Sequence, residues 1–160
     1  MARFTAAAEV LGVEVAAVRY PEETRTARAA ADAIGCAVEQ IVKSLVVIGP
    51  GGPALALTAG HHRLDLDRLG ELLGGGTRMA SAEEARAASG YSIGGTPPFG
   101  HAGPLATFVD PALLEHGVVY AAAGTPDACF PIDPDVLVRV AQATPADFVE
   151  HESESGERPA

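Results

Sequence analysis

Lys43 stands inside QIVKSLVVIG, a run of otherwise largely apolar, strand-forming residues, and it is the only lysine of the protein. Strand alternation is expected to put it on the face of Ile41, Leu45 and Val47, or beside them if the strand twists. An ammonium held over an apolar floor can bind a phosphate, a carboxylate or a carbonyl oxygen at low dielectric. The alternative is a charge that guards an edge strand against aggregation. A second unusual stretch is GYSIGGTPPFGH, from Gly90 to His101. Gly94 and Gly95 admit positive φ and let a ligand approach backbone N–H groups, while Pro97 and Pro98 stiffen the backbone in an extended form. Such a loop suits the preorganised wall of a binding site, or a plain turn between helix and strand. It has neither the spacing of the GxGxxG dinucleotide fingerprint nor the trailing Lys-Ser or Lys-Thr of a Walker loop, so nucleotide hydrolysis has no support.

The other reactive residue types are scattered. His61 and His62 are adjacent and on a strand would face opposite ways, so solvated turn positions suit them better than catalysis. Cys36 and Cys129 lie far apart without a CxxC pattern; both read as small buried residues rather than a disulfide or zinc site. No Ser-His-Asp arrangement or His/Cys ligand cluster stands out. Asp110 before Pro111 reads as a helix N-cap that follows a strand.

These residues need elements to position them. Phe4, Ala7, Ala8 and Leu11 have helical spacing in a segment that ends near Gly12, and VEVAAVRY reads as a strand. Thr24 precedes RTARAAADAIG, a helix that packs through Ala30, Ala31 and Ile34 and stops at Gly35. QIVKSLVVIG and PALALTAG are two strands joined by a turn through Pro50 to Pro53, hydrophobic enough for burial on both faces. LDLDRLGELLG carries a leucine stripe, and SAEEARAASG opens with the Ser81/Glu84 capping box. ATFVD and GVVYAAAG supply further strands, and DPDVLVRVAQA is expected to close the domain as a helix. The pattern predicts a mixed α/β (α+β) fold, one compact domain over residues 1–150 with a central mixed sheet flanked by helices. Residues 151–160 form an acidic tail expected to be disordered.

The protein has 160 residues, 48% of them hydrophobic, enough for one domain with a sizeable core. Its apolar runs fall short of the ~20 residues of a membrane span, and its start lacks the pattern of a secretory signal, so a cytoplasmic location and no membrane partner are expected. With 21 acidic against 11 basic residues the formal charge is −10. That balance opposes a broad electrostatic grip on nucleic acid.

RTARAAADAIGCAVEQIVKSLVV, RMASAEEARAASGYSIGGTPPFGH, TFVDPALL and AAAG, in this order from Tyr20 to Ala141, resemble the YbaK/prolyl-tRNA-synthetase-associated domain family of trans-acting aminoacyl-tRNA deacylases. The resemblance implies hydrolysis of the ester between a wrong amino acid and tRNA, without metal or cofactor, aided by the substrate's ribose 2′-hydroxyl and backbone groups. It implies catalytic roles for Lys43, Gly94 and Gly95. Substrate contacts would come from Ser44, from the loop residues Thr96, Pro97, Pro98 and Phe99, and from Asp110 and Gly124. Tyr20, Thr24, Arg25 and Thr26 match the family's first-helix entrance, or are a capped helix start. His101 departs from the commonest pattern and is a second-rank substrate contact. The implied partners are the aminoacyl-tRNA 3′ end and a synthetase, with cysteine or alanine on a proline tRNA as the example substrates. A noncatalytic small-ligand module of the same fold, or a synthetase-associated partner, is the alternative. The amino acid, the tRNA and the oligomeric state are left open.

The acidity leads to a first prediction: activity on aminoacyl-tRNA should fall only shallowly with salt, because few phosphates are engaged. Each neutralised phosphate steepens the log–log slope by roughly 0.7 to 0.9, so a slope equivalent to many contacts would contradict it.

Overall fold

The computed structural model describes residues 2–19 and 26–151. In sequence order the elements are helix α1 (Ala2–Val10), strand β1 (Val18–Arg19), helix α2 (Ala27–Ile34), and the hairpin of β2 (Val42–Gly49) and β3 (Gly52–Ala59). There follow α3 (Leu66–Leu73), β4 (Arg78–Met79), α4 (Ala82–Ser89), β5 (Ala106–Val109), β6 (Val119–Ala122), β7 (Ala128–Ile132), α5 (Pro134–Ala141) and β8 (Thr144–Pro145). Single 3-10 turns cover Val38–Gln40 and Pro111–Glu115. The fold is mixed α/β. One sheet has the order β4-β2-β3-β5-β8, with β3, β5 and β8 parallel; the other, β1-β7-β6, is antiparallel. A parallel bridge between Ile41 and Tyr120 ties the two together. Among the described residues no helix is long and apolar enough to cross a membrane.

Local sequence explains the helix ends. Thr26 Oγ1 accepts from Ala29 N–H at 3.0 Å and caps α2, which Gly35 terminates in the left-handed conformation. Thr24, expected just ahead of this helix, lies outside the described residues, as do Tyr20 and Arg25. The capping box forms between Ser81 and Glu84 as the spacing predicts.

The hairpin divides the core. Val42, Val46, Leu55, Leu57 and Ala59 face one side, with Phe4, Phe130 and Leu137. Val47, Ala54 and Ala56 face the other, with Leu69 and Phe148. β3 is thus buried on both faces, as its unbroken apolar sequence requires.

Three features differ from expectation. Among the described residues of VEVAAVRY, pairing is confined to Val18 and Arg19. The sequence reading assigned no element to Ala128–Ile132, which forms a strand paired with β6, Pro131 standing opposite Tyr120. Nor does α5 close the domain. The backbone runs on through β8 and buries Phe148 and Val149 against the face of β2 and β3 that α3 also covers. Two turns of helix leave part of that face bare, and the terminal segment fills it.

The loop from Gly90 to His101 is pinned at both ends. Tyr91 OH donates to the Gly100 carbonyl at 3.1 Å, and the Arg3 guanidinium lies over the Tyr91 ring. Pro97 and Pro98 are buried. Phe99 sits in the core with its ring 5.1 Å from Phe4 and 6.0 Å from Phe130. His101 Nε2 lies 2.7 Å from the Pro97 carbonyl and braces the loop from behind. Burial pushes the His101 imidazole below the ordinary histidine value, and the bond to Pro97 opposes this only in part.

A pH prediction follows from that shift. With the folded pKa depressed, the unfolded state takes up the proton first, so stability is lost as pH falls through the ordinary histidine range of about 6.5. His101→Gln should flatten the fall in the urea midpoint between about pH 7 and about pH 5. Parallel curves for wild type and variant would refute this role.

Candidate functional site

β2 has β3 along its whole length on one edge. On the other edge it meets β4 at Val47 and Ile48, and the bridge to β6 lies just before it at Ile41. Between these attachments the sheets part, and a cavity of about 300 Å3 opens beside Val42 to Val46. Its walls are α2 at Ala27 and Ala30, β6 at Tyr120 to Ala122, and the loop at Ile93, Gly94 and Thr96. The lining is mostly apolar. Ile93 and Met79, which line the cavity, are 57% and 44% exposed and form an apolar rim.

Ser44 is the polar centre of this gap. The Ala80 N–H donates to the Val46 carbonyl at 3.1 Å, so the backbone groups of Val46 point away from β3. Every second residue of an antiparallel strand repeats that direction, and Ser44 therefore turns its own N–H and carbonyl toward the gap. Its Oγ is buried and has no hydrogen-bond partner among the described residues. A buried orphan hydroxyl costs about 1–3 kcal/mol, so a ligand group is its natural complement.

Lys43 projects to the opposite face of β2, opposite Thr58 and alongside Leu45 and Val47 as alternation predicts. It lines the cavity where the strand edge opens, and its Nζ donates to the His62 carbonyl. β2 lies between β4 and β3 in the sheet, but β4 reaches only Val47 and Ile48, so beside Lys43 the edge away from β3 opens onto the cavity. Burial holds its ammonium below the ordinary lysine value; the Arg63 guanidinium pushes the same way, and the Asp110 carboxylate opposes both.

Gly94 adopts φ +86° in the turn closed by the Gly95 N–H donating to the Ser92 carbonyl at 3.0 Å. Gly95 is glycine for a different reason. A Cβ there would lie 2.9 Å from Thr125 Cα and 3.1 Å from the Gly124 carbonyl oxygen, so two backbones meet without room for a side group.

The structure therefore gathers Thr26, Lys43, Ser44, Gly94 and Thr96 around one cavity. Gly95 and Gly124 pack against each other beside it, while Pro97, Pro98, Phe99 and His101 stand behind the loop rather than in the lining. Asp110 caps the turn at Pro111–Glu115, its Oδ1 accepting from the Ala112 N–H at 3.0 Å, and is also outside the lining.

Sequence reasoning missed the rim residues Met79 and Ile93, whose only signal is apolar character beside turn residues. It also expected a solvated turn for His62. Its ring is instead 28% exposed, and Nδ1 lies 2.7 Å from Oδ2 of Asp110, which is 2% exposed. A partner 48 residues away leaves no local sequence signal.

Residues 21–140 match the sequence profile of the Aminoacyl-tRNA editing domain family. A solved structure of a candidate trans-editing enzyme for prolyl tRNA synthetase is 44% identical, with TM-score 0.89 over 94% of this protein and 96% of that one. Hypothetical protein APE2540 is 29% identical with TM-score 0.82, covering 92% of this protein and 99% of its own length. The uncharacterised protein YwhH of Bacillus subtilis (strain 168) is 29% identical over 119 residues, 74% of this protein and 76% of YwhH. A profile match over most of the domain, joined to the cavity between β2 and the Gly94 loop, means that the protein belongs to the YbaK-like aminoacyl-tRNA editing domain family.

Proposed function

We propose that the protein is a metal-independent aminoacyl-tRNA deacylase that acts in trans on mischarged tRNA, with Cys-tRNA(Pro) or Ala-tRNA(Pro) as the example substrates. One observation carries the reading: Ser44 offers a backbone N–H, a backbone carbonyl and an unpartnered hydroxyl to a cavity that Lys43, Gly94 and Thr96 also line. An amino acid esterified to ribose presents complementary groups: a carbonyl that needs donors, an amino group that needs acceptors and a side group that needs an apolar wall.

Hydrolysis of such an ester needs little beyond position and charge stabilisation. Water adds to the ester carbonyl carbon, the oxyanion takes hydrogen bonds from N–H donors, and the bond to the ribose oxygen breaks as that oxygen gains a proton. The products are a free amino acid and an intact tRNA 3′ end. The substrate's 2′-hydroxyl lies next to the reacting ester and can pass the proton. Ile93 and Met79 give the terminal adenosine an apolar surface at the rim. A synthetase that releases the wrong aminoacyl-tRNA is the partner this chemistry calls for.

A second reading, a ligand-binding module without turnover, draws on the engagement of Lys43 Nζ with a backbone carbonyl. Deacylation of a panel of mischarged tRNAs separates the two. The proposal predicts ester cleavage well above the spontaneous rate, with Lys43→Ala lowering kcat/KM by about a hundredfold. Ser44→Ala should lower it by about tenfold, the loss of one hydrogen bond, while leaving Tm unchanged or slightly raised because an unsatisfied hydroxyl is removed. Cleavage at the spontaneous rate by the wild type would overturn the enzyme reading, and wild-type rates in both variants would overturn the roles given to Lys43 and Ser44.

A further inference from the structure

The His62–Asp110 pair lies outside the cavity lining, yet it leads back to Lys43. Asp110 Oδ2 accepts from the Ala59 N–H at 3.1 Å, at the end of β3, and its Oδ1 accepts from the Ala112 N–H at 3.0 Å. The buried carboxylate is thus held by backbone donors on two sides, and His62 Nδ1 joins Oδ2 at 2.7 Å. The short connection after β3 is fixed at further points. The His62 N–H donates to the Ala59 carbonyl at 2.9 Å, and Gly60 lies so close to the Val38 carbonyl that any Cβ would overlap it. With ring and backbone both held, the His62 carbonyl is a stationary acceptor. It is the acceptor for Lys43 Nζ.

We infer that His62, locked by Asp110, is a positioning residue for Lys43: it fixes the carbonyl that sets where the ammonium sits beside the cavity. The inference rests on reading that cavity as the deacylation site. Asp110 acts through His62 and has no substrate contact in this scheme. The Asp110 carboxylate also lies near enough to Lys43 to favour its charged form, so the pair steers both the place and the charge of the amine.

The protein offers a clean test because Lys43 is its only lysine. Protein labelled with 13C-lysine gives one ε-methylene signal to follow by NMR, beside a deacylation assay of the full-length protein. In His62→Asn the amide Nδ2 occupies the place of Nδ1 and can still donate to Asp110. In His62→Gln the amide is one bond too far, although bulk and polarity remain. His62→Gln should move the lysine signal toward that of a free lysine and lower kcat by about tenfold or more with little change in KM, as expected when a catalytic group is displaced. His62→Asn should restore both readouts. An unmoved lysine signal with wild-type kcat in His62→Gln would overturn the inference, as would a His62→Asn variant of normal Tm that behaves like His62→Gln. If the wild type cleaves no ester but the lysine signal still responds as stated, the deacylase reading falls and the positioning role stands.

Discussion

The antiparallel pairing of β2 with β3 is the constraint on which the site depends. A two-residue turn at Pro50 and Gly51 sets Gly49 opposite Gly52, and that register runs unbroken to Val42 opposite Ala59. Because side groups alternate along a strand, the register sends Lys43 to the face covered by α3 and Phe148, and Ser44 to the face of Phe4 and Phe130. A slip of one residue would exchange them, placing an ammonium in the apolar core and a serine over the His62 carbonyl. The cost of burying an unpaired charge makes that slip prohibitive. The same residues that fill the core therefore hold the site in place.

Much of this was legible in the sequence, for physical reasons that can be named. Strong local signals found their elements: the capping box at Ser81 and Glu84, Gly35 as a stop, and the apolar hairpin strands. Lys43 stood out because a charge in an apolar strand demands a reason, and the Gly94 loop because prolines beside glycines do. Long-range facts were not legible. Nothing near His62 announces Asp110, and nothing in ACFPI outweighs its proline until Tyr120 is there to pair with it. The prominence of Gly-Gly and Pro-Pro also merged two jobs. Gly94 shapes the cavity wall, whereas Gly95, Pro97, Pro98 and Phe99 secure the loop to the body of the domain.

The cavity suits a reaction that needs orientation more than reactive side groups. An activated ester is already poised to react with water, and backbone donors on a rigid strand provide charge stabilisation without reorganisation. The orphan hydroxyl of Ser44 is the kind of local cost that folded domains carry where a ligand is to be received. A net charge of −10 is compatible with this, provided recognition is confined to the aminoacylated tip of the tRNA.

On the function proposed above, the strand edge at Ser44 and the loop at Gly94 together receive the aminoacyl end of the substrate. The most direct measurement is an amide NMR titration with a non-hydrolysable 3′-aminoacylamido adenosine. The Ser44 and Gly94 amide signals should move together and saturate with one dissociation constant. Saturable binding that leaves both signals in place while others shift, or no binding at all, would contradict it.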